Sequence, residues 1–427
     1  MVSRDTAGTA LVGGGVALFV VTLLVSAALA PTLGAVADGD ESRQTLVGSQ
    51  GGGPGLHEDG SVYLVSGDEM EWRLADADSY FDVTQLDNGS VMAGFMDSGY
   101  TDCGPYDSPC TRTGFRIVEP GDDPEVLAEY SFPVRTRSNS EVHDVEKLSS
   151  GEYLVTDMDA ERVFTVKDGE VTWQWNASSF YEAPPDPTRT DWLHINDVDV
   201  VGENRYLVSV RNANQLLVVE RGEGKHDAEV VEVINEDPTP NDGDRRGDPA
   251  LLERQHNPQW LGDGAVLVAD SENDRVVELH RSNESGEWEI AWSLSSAEEV
   301  DFRWPRDADR LENGNTLITD SLNSRIVEVN ESGATVWSYQ TPLVPYEAER
   351  LPEGETVGGQ RYEADENAGE TNEVPVLSLL LRAAKSSYPL PFWLSEVHVL
   401  LTLVSLGMVL SGGGLYLSEV VRRRRRT

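Results

Sequence analysis

Hydrophobic and polar residues alternate in short runs along most of the chain, and these runs recur as a repeated unit. In its clearest copies the unit starts at a polar residue, reaches a leucine five positions later, and passes through a Gly-containing turn. A β-rich run ending in aspartate follows, with an arginine five positions beyond it. This alternation predicts four short strands in each copy. The clear copies are His143–Arg162, His256–Arg275 and Arg306–Arg325.

Two weaker copies extend the array to five. One spans His194–Arg211, and the other starts at Phe81 and carries a long insertion. A repeat of this length indicates an array of similar structural units. Four strands in about 40–60 residues make the blade of a β-propeller.

A sixth copy is divided between the two ends of the array. Residues 344–354 repeat the opening of the fifth copy, residues 304–314, but lack its later strands. Residues 45–74 supply three strands without a first one. Joining these ends leaves no open sheet edge, which protects against edge pairing. The sequence therefore predicts an all-β fold, a six-bladed β-propeller closed by N- and C-terminal strands and flanked by two transmembrane helices.

The flanking helices are predicted from two hydrophobic runs. An uncharged run lies within residues 7–38, and a second run covers residues 389–417. Each exceeds the roughly 20 residues that cross a bilayer, although the first also fits a cleaved signal peptide. Five arginines at 422–426 favour a cytoplasmic C-terminus, which predicts a membrane-anchored protein with an extracellular propeller. The predicted divisions are an anchor or signal segment at 1–38, the propeller at 39–351, an acidic linker with an interfacial helix at 352–388, and a C-terminal transmembrane helix with an Arg-rich tail at 389–427.

Two features of the sequence, an apolar stretch after the repeats and a pair of cysteines in the insertion of the first repeat, stay open. Residues 352–372 are acidic and Gly-rich, and we expect a flexible tether there. The apolar stretch within 374–388 fits either a helix at the membrane surface or the start of a longer buried helix. Cys103 and Cys110 lie in one loop and are either a local disulfide or two free thiols.

The charge balance excludes one class of partner. The chain has 75 acidic and 33 basic side chains, a formal net charge of −42. We interpret this balance as the solvated acidic surface of an extreme halophile, because molar salt screens self-repulsion within roughly 3 Å. A nucleic-acid partner is not expected, since binding one requires a basic stripe.

The first positions of the repeats form a candidate site. Innermost strands of a propeller converge on a central channel, so residues about 50 positions apart meet there. The polar residues at this register are His143, His194, His256 and Arg306. Arg211 joins them from the second strand of its repeat, where we align it with the aspartates Asp157, Asp270 and Asp320.

A structural role is the simpler interpretation of any one of these histidines. Three histidines at one register, from only seven in the chain, favour function for the set. The repeated aspartates and their arginines, Arg162, Arg275 and Arg325, are predicted to brace neighbouring blades by ion pairs. The tryptophans of the last strands are predicted to pack rather than to form a ligand cage.

Several histidines with arginines suit more than one chemistry. Histidine is a common zinc ligand, but the chain has no HxxxH or HExxH spacing, so we predict no metal. A neutral imidazole is also a nucleophile, and arginines beside it stabilise an oxyanion. This set suits transfer of a sulfuryl or phosphoryl group. No phosphate-cradling Gly loop is present, and we predict no cofactor.

Three segments resemble the arylsulfate sulfotransferases that work without a nucleotide sulfate donor. They are residues 143–157, 191–215 and 254–270, and the resemblance covers about 56–351. It implies a six-bladed propeller in which His256 is the nucleophile that becomes a sulfohistidine. It implies that His194 and Arg211 bind sulfate and handle protons, and that His143 is a further active-site residue. The bacterial family members carry an N-terminal β-sandwich domain, for which the resemblance predicts no counterpart in residues 1–427.

The function predicted from these features is ping-pong transfer of a sulfuryl group. An aryl sulfate donor would pass the group to His256, and a phenolic or other hydroxyl acceptor would take it. Arg211, His194 and His143 would hold the sulfuryl oxygens, one of the histidines protonating the leaving oxygen. Residues predicted to bind substrate are Arg306, Asn212 and Asn257. The alternatives are a non-enzymatic surface propeller that binds glycan or protein, and a metal-dependent hydrolase; the oligomeric state is left open.

Overall fold

The computed structural model describes residues 3–29, 43–52, 57–237, 245–298, 300–354, 356–363, 376–377, 380–381, 384, 390–391 and 393–424. These residues fall into a helical unit, built mainly from the two ends of the chain, and a β unit built from the residues between them. Within the described residues, 24 strands form six four-stranded antiparallel sheets. Each sheet is one propeller blade.

The first three blades are formed by the N-terminal half of the β unit and by one late strand. Blade 1 contains β1 (Gln44–Gly51), β2 (Gly60–Ser66), β3 (Glu69–Ala77) and, as its innermost strand, β26 (Val344–Leu351). Blade 2 contains β4 (Ser79–Gln85), β5 (Val91–Tyr100), β6 (Cys110–Glu119) and β7 (Glu125–Val134). Blade 3 contains β8 (Val145–Lys147), β9 (Tyr153–Asp157), β10 (Arg162–Lys167) and β11 (Glu170–Asn176).

The other three blades follow in order, each starting with its innermost strand. Blade 4 contains β12 (Ile195–Gly202), β13 (Arg205–Val210), β14 (Gln215–Arg221) and β15 (Ala228–Ile234). Blade 5 contains β16 (His256–Gly262), β17 (Ala265–Asp270), β18 (Arg275–Arg281) and β19 (Trp288–Leu294). Two short strands, β20 (Ser296–Ala297) and β21 (Val300–Asp301), lie outside the blades. Blade 6 contains β22 (Asp307–Arg310), β23 (Thr316–Asp320), β24 (Arg325–Val329) and β25 (Thr335–Gln340).

The propeller is closed within blade 1. The late strand β26 pairs with β1 in an antiparallel register that places Glu349 opposite Leu46. The predicted six-bladed propeller, with its two ends joined in one blade, is therefore confirmed. In blade 2, Cys103 and Cys110 form a disulfide bond in the connection between β5 and β6.

Hydrophobic side chains fill the contacts between neighbouring blades. Six clusters of buried residues in the described chain each join two adjacent blades. The outer-strand tryptophans add a hydrogen bond to this packing. The indole N–H groups of Trp173, Trp292 and Trp337 donate to Asp227, Glu331 and Gly67, which lie on the next blade. These residues pack as the sequence predicts.

The repeated Asp–Arg pairs brace single blades, so the prediction that they join neighbouring blades by ion pairs is wrong. Asp270 and Arg275 lie 2.7 Å apart on adjacent strands of blade 5, and the equivalent pairs of blades 3 and 6 have the same separation. The physical reason is their position at the two ends of one hairpin connection, where β17 pairs with β18. A different set of ion pairs crosses between blades: Glu278–Arg310 and Glu328–Arg350.

The segment expected to be a flexible tether is partly packed on the propeller. Tyr362 is only 2% exposed and joins the hydrophobic cluster between blades 5 and 6. Its hydroxyl donates to the carbonyl of Gly314 at 2.7 Å, and the guanidinium of Arg310 lies 3.3 Å from the centre of its ring. Tyr362 therefore anchors this part of the segment. Most of the predicted interfacial helix at 374–388 lies outside the described residues.

The helical unit contains two helices that are long and apolar enough to cross a membrane, α1 (Arg4–Leu29) and α2 (Glu396–Arg424). They pack closely because glycines lie at their contact. A Cβ atom on Gly8 would lie 2.7 Å from the carbonyl oxygen of Gly412, and one on Gly412 would lie 2.6 Å from that of Gly8. Small residues that let two backbones approach are typical of paired membrane helices.

Closure of the propeller should be sensitive to a single methyl group on β1. A Cβ atom on Gly48 would lie 1.8 Å from the carbonyl oxygen of Phe81 in blade 2, so the two strands would have to separate. We expect Gly48→Ala to lower the free energy of unfolding by about 3 kcal/mol or more, measured by urea denaturation.

Gly202→Ala is the matched control for this prediction. Gly202 also lies in a strand, and a Cβ atom on it would lie 3.6 Å or more from its neighbours. Equal stability losses in the two variants would contradict the close contact between blades 1 and 2.

Candidate functional site

Six side chains, one from each blade, lie close together and form a group that we call the first-position ring. They occupy the first position of each repeat and are Phe81, His143, His194, His256, Arg306 and Tyr346. Ring centroids of His143 lie 4.8 Å from Phe81, 5.6 Å from His194 and 4.9 Å from Tyr346. Tyr346 was not predicted, although residues 344–354 repeat residues 304–314 and this alignment places it at the register of Arg306.

Four of these six side chains line a cavity of about 150 Å³. The residues lining this cavity are Gln50, His57, Ser138, Asn139, Glu141, His143, Asp191, His194, Arg211, Arg254, His256, Trp304 and Arg306. It therefore brings together all four predicted catalytic residues and Arg306. Asn212 and Asn257, predicted to bind substrate, are not among the lining residues. Asn212 instead accepts a hydrogen bond from Arg211, and Asn257 donates one to Glu347.

The hydrogen bonds of His256 fix which of its nitrogens carries a proton. Its Nδ1 lies 2.8 Å from the hydroxyl of Ser271, and that hydroxyl donates to the carbonyl of Pro305 at 2.6 Å. Because a hydroxyl has one proton, Ser271 must accept from His256, so Nδ1 is the protonated nitrogen. The Nε2 atom then keeps its lone pair, as a nucleophilic imidazole requires.

Two arginines beside His256 are buried without a close carboxylate partner. Arg306 is 4% exposed; it donates to Gln50 and stacks on the rings of Trp304 and Tyr346, at 4.1 and 4.9 Å. Its Nε atom meets no hydrogen-bond partner in the described part of the chain, and neither does that of Arg211. The carboxylate of Glu272 lies 3.9 Å from Arg211, beyond hydrogen-bond distance. Burial lowers the pKa of Arg306 to about 10, which still leaves it charged at neutral pH. Unsatisfied buried donors of this kind favour an anionic ligand.

A strained turn directs His194 into the cavity. Its φ of 57° lies in the left-handed region, which is uncommon for a residue with a side chain. The backbone N–H groups of Leu193, His194 and Ile195 all donate to the buried carboxylate of Glu161 and hold this turn. The Nδ1 of His194 lies 2.6 Å from Asp191, so its Nε2 is the nitrogen left for a ligand. Neither Asp191 nor Glu161 was predicted from the sequence.

Arg211 does not replace the repeated aspartate, which corrects the alignment made from sequence. In blade 5, Asp270 pairs with Arg275 across the hairpin, and in blade 4 the equivalent pair is Val210 with Gln215. Arg211 follows Val210 and therefore occupies the place of Ser271. Each residue begins a short 3-10 turn after the second strand of its blade. The alignment was wrong by one residue because this blade has lost the Asp–Arg pair that marks the hairpin.

His57 and Glu141 form a further polar pair in the cavity that the sequence analysis did not find. The Nε2 of His57 lies 2.9 Å from a Glu141 carboxylate oxygen, and its Nδ1 lies 2.8 Å from the hydroxyl of Ser79. Burial opposes ionisation of Glu141, but the hydrogen bond from His57 lowers its pKa to about 2. Neither residue lies at the first position of a repeat, so the repeat pattern that identified the other histidines could not identify these two.

The three first-position histidines, His143, His194 and His256, are held neutral. Burial is the main cause that lowers the pKa of His143, His194 and His256, and the charge of Arg211 lowers the last two further. Among the residues that the structure describes, no group of three or more His, Cys, Asp or Glu side chains is arranged to hold a metal ion. The site therefore combines neutral imidazoles with fixed positive charges.

Comparison with protein-family models and with curated proteins finds no match. Solved structures with similar folds include a protein of unknown function from Bacteroides caccae, 14% identical, with a TM-score of 0.49 over 73% of this chain and all of that one. A periplasmic gluconolactonase of Pseudomonas aeruginosa is 12% identical, with a TM-score of 0.43 over 73% of this chain and 99% of that one. Virginiamycin B lyase from Staphylococcus aureus is 11% identical, with a TM-score of 0.35 over 62% of this chain and 70% of that one.

The neutral histidines should make the fold sensitive to acid. Their native pKa values lie below the unfolded value of about 6.5, so below that pH the unfolded chain binds protons that the native site refuses. Stability is therefore retained above pH 6.5 and falls as the pH decreases, by up to about 1.4 kcal/mol per pH unit for each histidine. Urea denaturation at pH 7.5 and 5.5 measures this loss.

A double variant, His143→Asn with His256→Asn, should lose less stability over the same interval than the native chain. His226→Asn is the control, because His226 lies on the surface. An identical loss in all three proteins would contradict the low pKa values of the cavity histidines.

Proposed function

We propose that this protein transfers a sulfuryl group from an aryl sulfate to a hydroxyl acceptor, with His256 as the nucleophile. The observation that carries the proposal is the pairing of an unprotonated His256 Nε2 with two buried guanidiniums that have unsatisfied donors. A nucleophile among fixed positive charges suits a substrate whose reacting group is an anion.

In the first half-reaction, Nε2 of His256 attacks the sulfur of the donor. A nitrogen–sulfur bond forms as the bond from sulfur to the aryl oxygen breaks, and the phenol leaves. Arg211 and Arg306 interact with the sulfuryl oxygens throughout, with His143 and His194 beside them. Ser271 accepts the Nδ1 proton of His256 in a hydrogen bond and stabilises the ring as it becomes positive.

In the second half-reaction, the oxygen of the acceptor attacks the same sulfur. The nitrogen–sulfur bond breaks, and His256 returns to its neutral form with the proton on Nδ1. The acceptor hydroxyl gives up its proton to a base in the cavity. Donor and acceptor use one small cavity in turn, as a ping-pong reaction requires.

The resemblance of residues 143–157, 191–215 and 254–270 to nucleotide-independent arylsulfate sulfotransferases supports the same assignment. The residues that this resemblance implies, His143, His194, Arg211 and His256, all line one cavity. We also propose that α1 and α2 anchor the protein in the cell membrane. In this arrangement the propeller is extracellular, because the arginines after α2 favour a cytoplasmic C-terminus.

His256→Asn should abolish acceptor-dependent release of phenol from an aryl sulfate, by roughly a thousandfold or more. Asparagine keeps a polar side chain but has no nucleophilic ring nitrogen. The reaction is followed by the absorbance of the released phenol, and His226→Asn on the surface is the control. Full activity in the His256 variant would contradict the proposal.

Ser271→Ala should lower kcat by at least about tenfold, because an unfixed imidazole tautomer is costly in related chemistry. Ser321→Ala is the matched control, since Ser321 begins the equivalent turn of blade 6 and its hydroxyl meets no partner within the described residues. Steady-state kinetics on both variants decides the point. Equal kcat values for the two would show that Ser271 does not set the tautomer of His256.

A further inference from the structure

The proposed reaction needs a proton donor and a proton acceptor, and the three first-position histidines do not provide them. The aryl oxygen that leaves the donor sulfur must gain a proton, and the acceptor hydroxyl must lose one. Burial lowers the pKa values of His143, His194 and His256, so none holds a spare proton at neutral pH. This requirement rests on the proposed sulfuryl transfer. Another titratable group of the cavity must therefore exchange the proton.

His57 is the cavity histidine whose two nitrogens both donate hydrogen bonds. Its Nδ1 faces Ser79, whose only proton is given to the carbonyl of Gln50 at 2.9 Å. Its Nε2 faces a carboxylate oxygen of Glu141 at 2.9 Å. With the Ser79 proton on the carbonyl of Gln50, both neighbours accept from His57, and its ring carries a proton on each nitrogen. The side chain of His57 is only 1% exposed, which shields this pair from solvent.

Glu141 links this protonated ring to the reaction cavity. It lines the same small cavity as His256, and its second carboxylate oxygen accepts from the backbone N–H of Ser140. The other acidic residue that lines the cavity, Asp191, is 2.6 Å from His194 Nδ1 and orients that ring. Glu141 is therefore the carboxylate that connects the cavity to a protonated histidine.

We propose that Glu141, with His57 behind it, is the acid–base group of the reaction and fits the enzyme to hydroxyl acceptors that are not ionised. Glu141 exchanges a proton with the substrate oxygen. His57 is a positioning residue that holds the proton between the two half-reactions.

The steps balance in both directions. As the sulfur–oxygen bond of the donor breaks, the proton of His57 Nε2 passes to Glu141 and from it to the leaving phenol oxygen. This leaves a neutral His57 beside an ionised Glu141. As the acceptor oxygen bonds to sulfur and the nitrogen–sulfur bond breaks, the hydroxyl proton passes to Glu141 and returns to His57.

Glu141→Gln tests this proposal in the full chain, because glutamine keeps the shape and loses the proton exchange. The donor is 4-nitrophenyl sulfate, whose leaving group needs no protonation. A rapid burst of nitrophenol counts active sites and reports attack by His256. The following steady state, with phenol as acceptor, reports transfer to an un-ionised hydroxyl.

For Glu141→Gln we expect a burst within about threefold of the native one and a steady-state rate lowered about a hundredfold or more. An acidic acceptor phenol, ionised at the assay pH, should restore most of that rate. His57→Gln should show the same pattern. The control is Glu58→Gln, a neighbouring carboxylate with a side chain that is 70% exposed, and it should behave like the native chain.

Each other result overturns the proposal in a distinguishable way. An unchanged steady-state rate in Glu141→Gln, or an equal loss with acidic and ordinary phenols, removes its acid–base role. Loss of the burst in Glu141→Gln would show that Glu141 is needed for folding or for the attack by His256, and not for proton exchange alone. Absence of a burst in the native chain contradicts the proposed sulfuryl transfer itself.

Discussion

Two buried positive charges that line the same cavity are the constraint on which this site depends. Arg211 and Arg306 lie among aromatic rings and neutral imidazoles, and their Nε donors are unsatisfied within the described chain. Burying an unpaired charge is costly unless the surrounding fold is rigid enough to hold it. Burial, together with these two charges, lowers the pKa of His256 and keeps it neutral, which preserves the lone pair that a nucleophile needs.

The propeller supplies that rigidity through repetition. Blades 3, 5 and 6 are each braced internally by an Asp–Arg pair across a hairpin. Neighbouring blades are joined by hydrophobic clusters and by buried pairs such as Glu278–Arg310. Closure between β26 and β1 makes the six first positions a continuous ring. Function then arises where the repeat is broken. Blade 4 lacks the hairpin ion pair and carries Arg211 at the position equivalent to Ser271. The same turn position therefore supplies a positive charge in blade 4 and fixes the tautomer of His256 in blade 5.

Much of this arrangement could be predicted from the sequence, because a repeat converts spacing along the chain into position around an axis. Alternation and turns gave six blades, and the register gave His143, His194, His256 and Arg306. The same register places Tyr346 at the position of Arg306, but Tyr346 was not predicted because its blade is divided between the two ends of the array. His57, Glu141 and Asp191 could not be found in this way, since they lie in connections whose paths no periodicity determines. Asn212 and Asn257 were chosen because they adjoin site residues, and adjacency along a strand or turn does not direct a side chain into the same cavity.

The central claim is that His256 carries the sulfuryl group between donor and acceptor. The most direct measurement is to mix the protein with an aryl sulfate whose sulfur is labelled, omit the acceptor, and quench under alkaline conditions that preserve a nitrogen–sulfur bond. Peptide mapping then locates the label. The account predicts one label per active site on the imidazole of His256. Phenol release without labelled protein, or a label on any other residue, would contradict it.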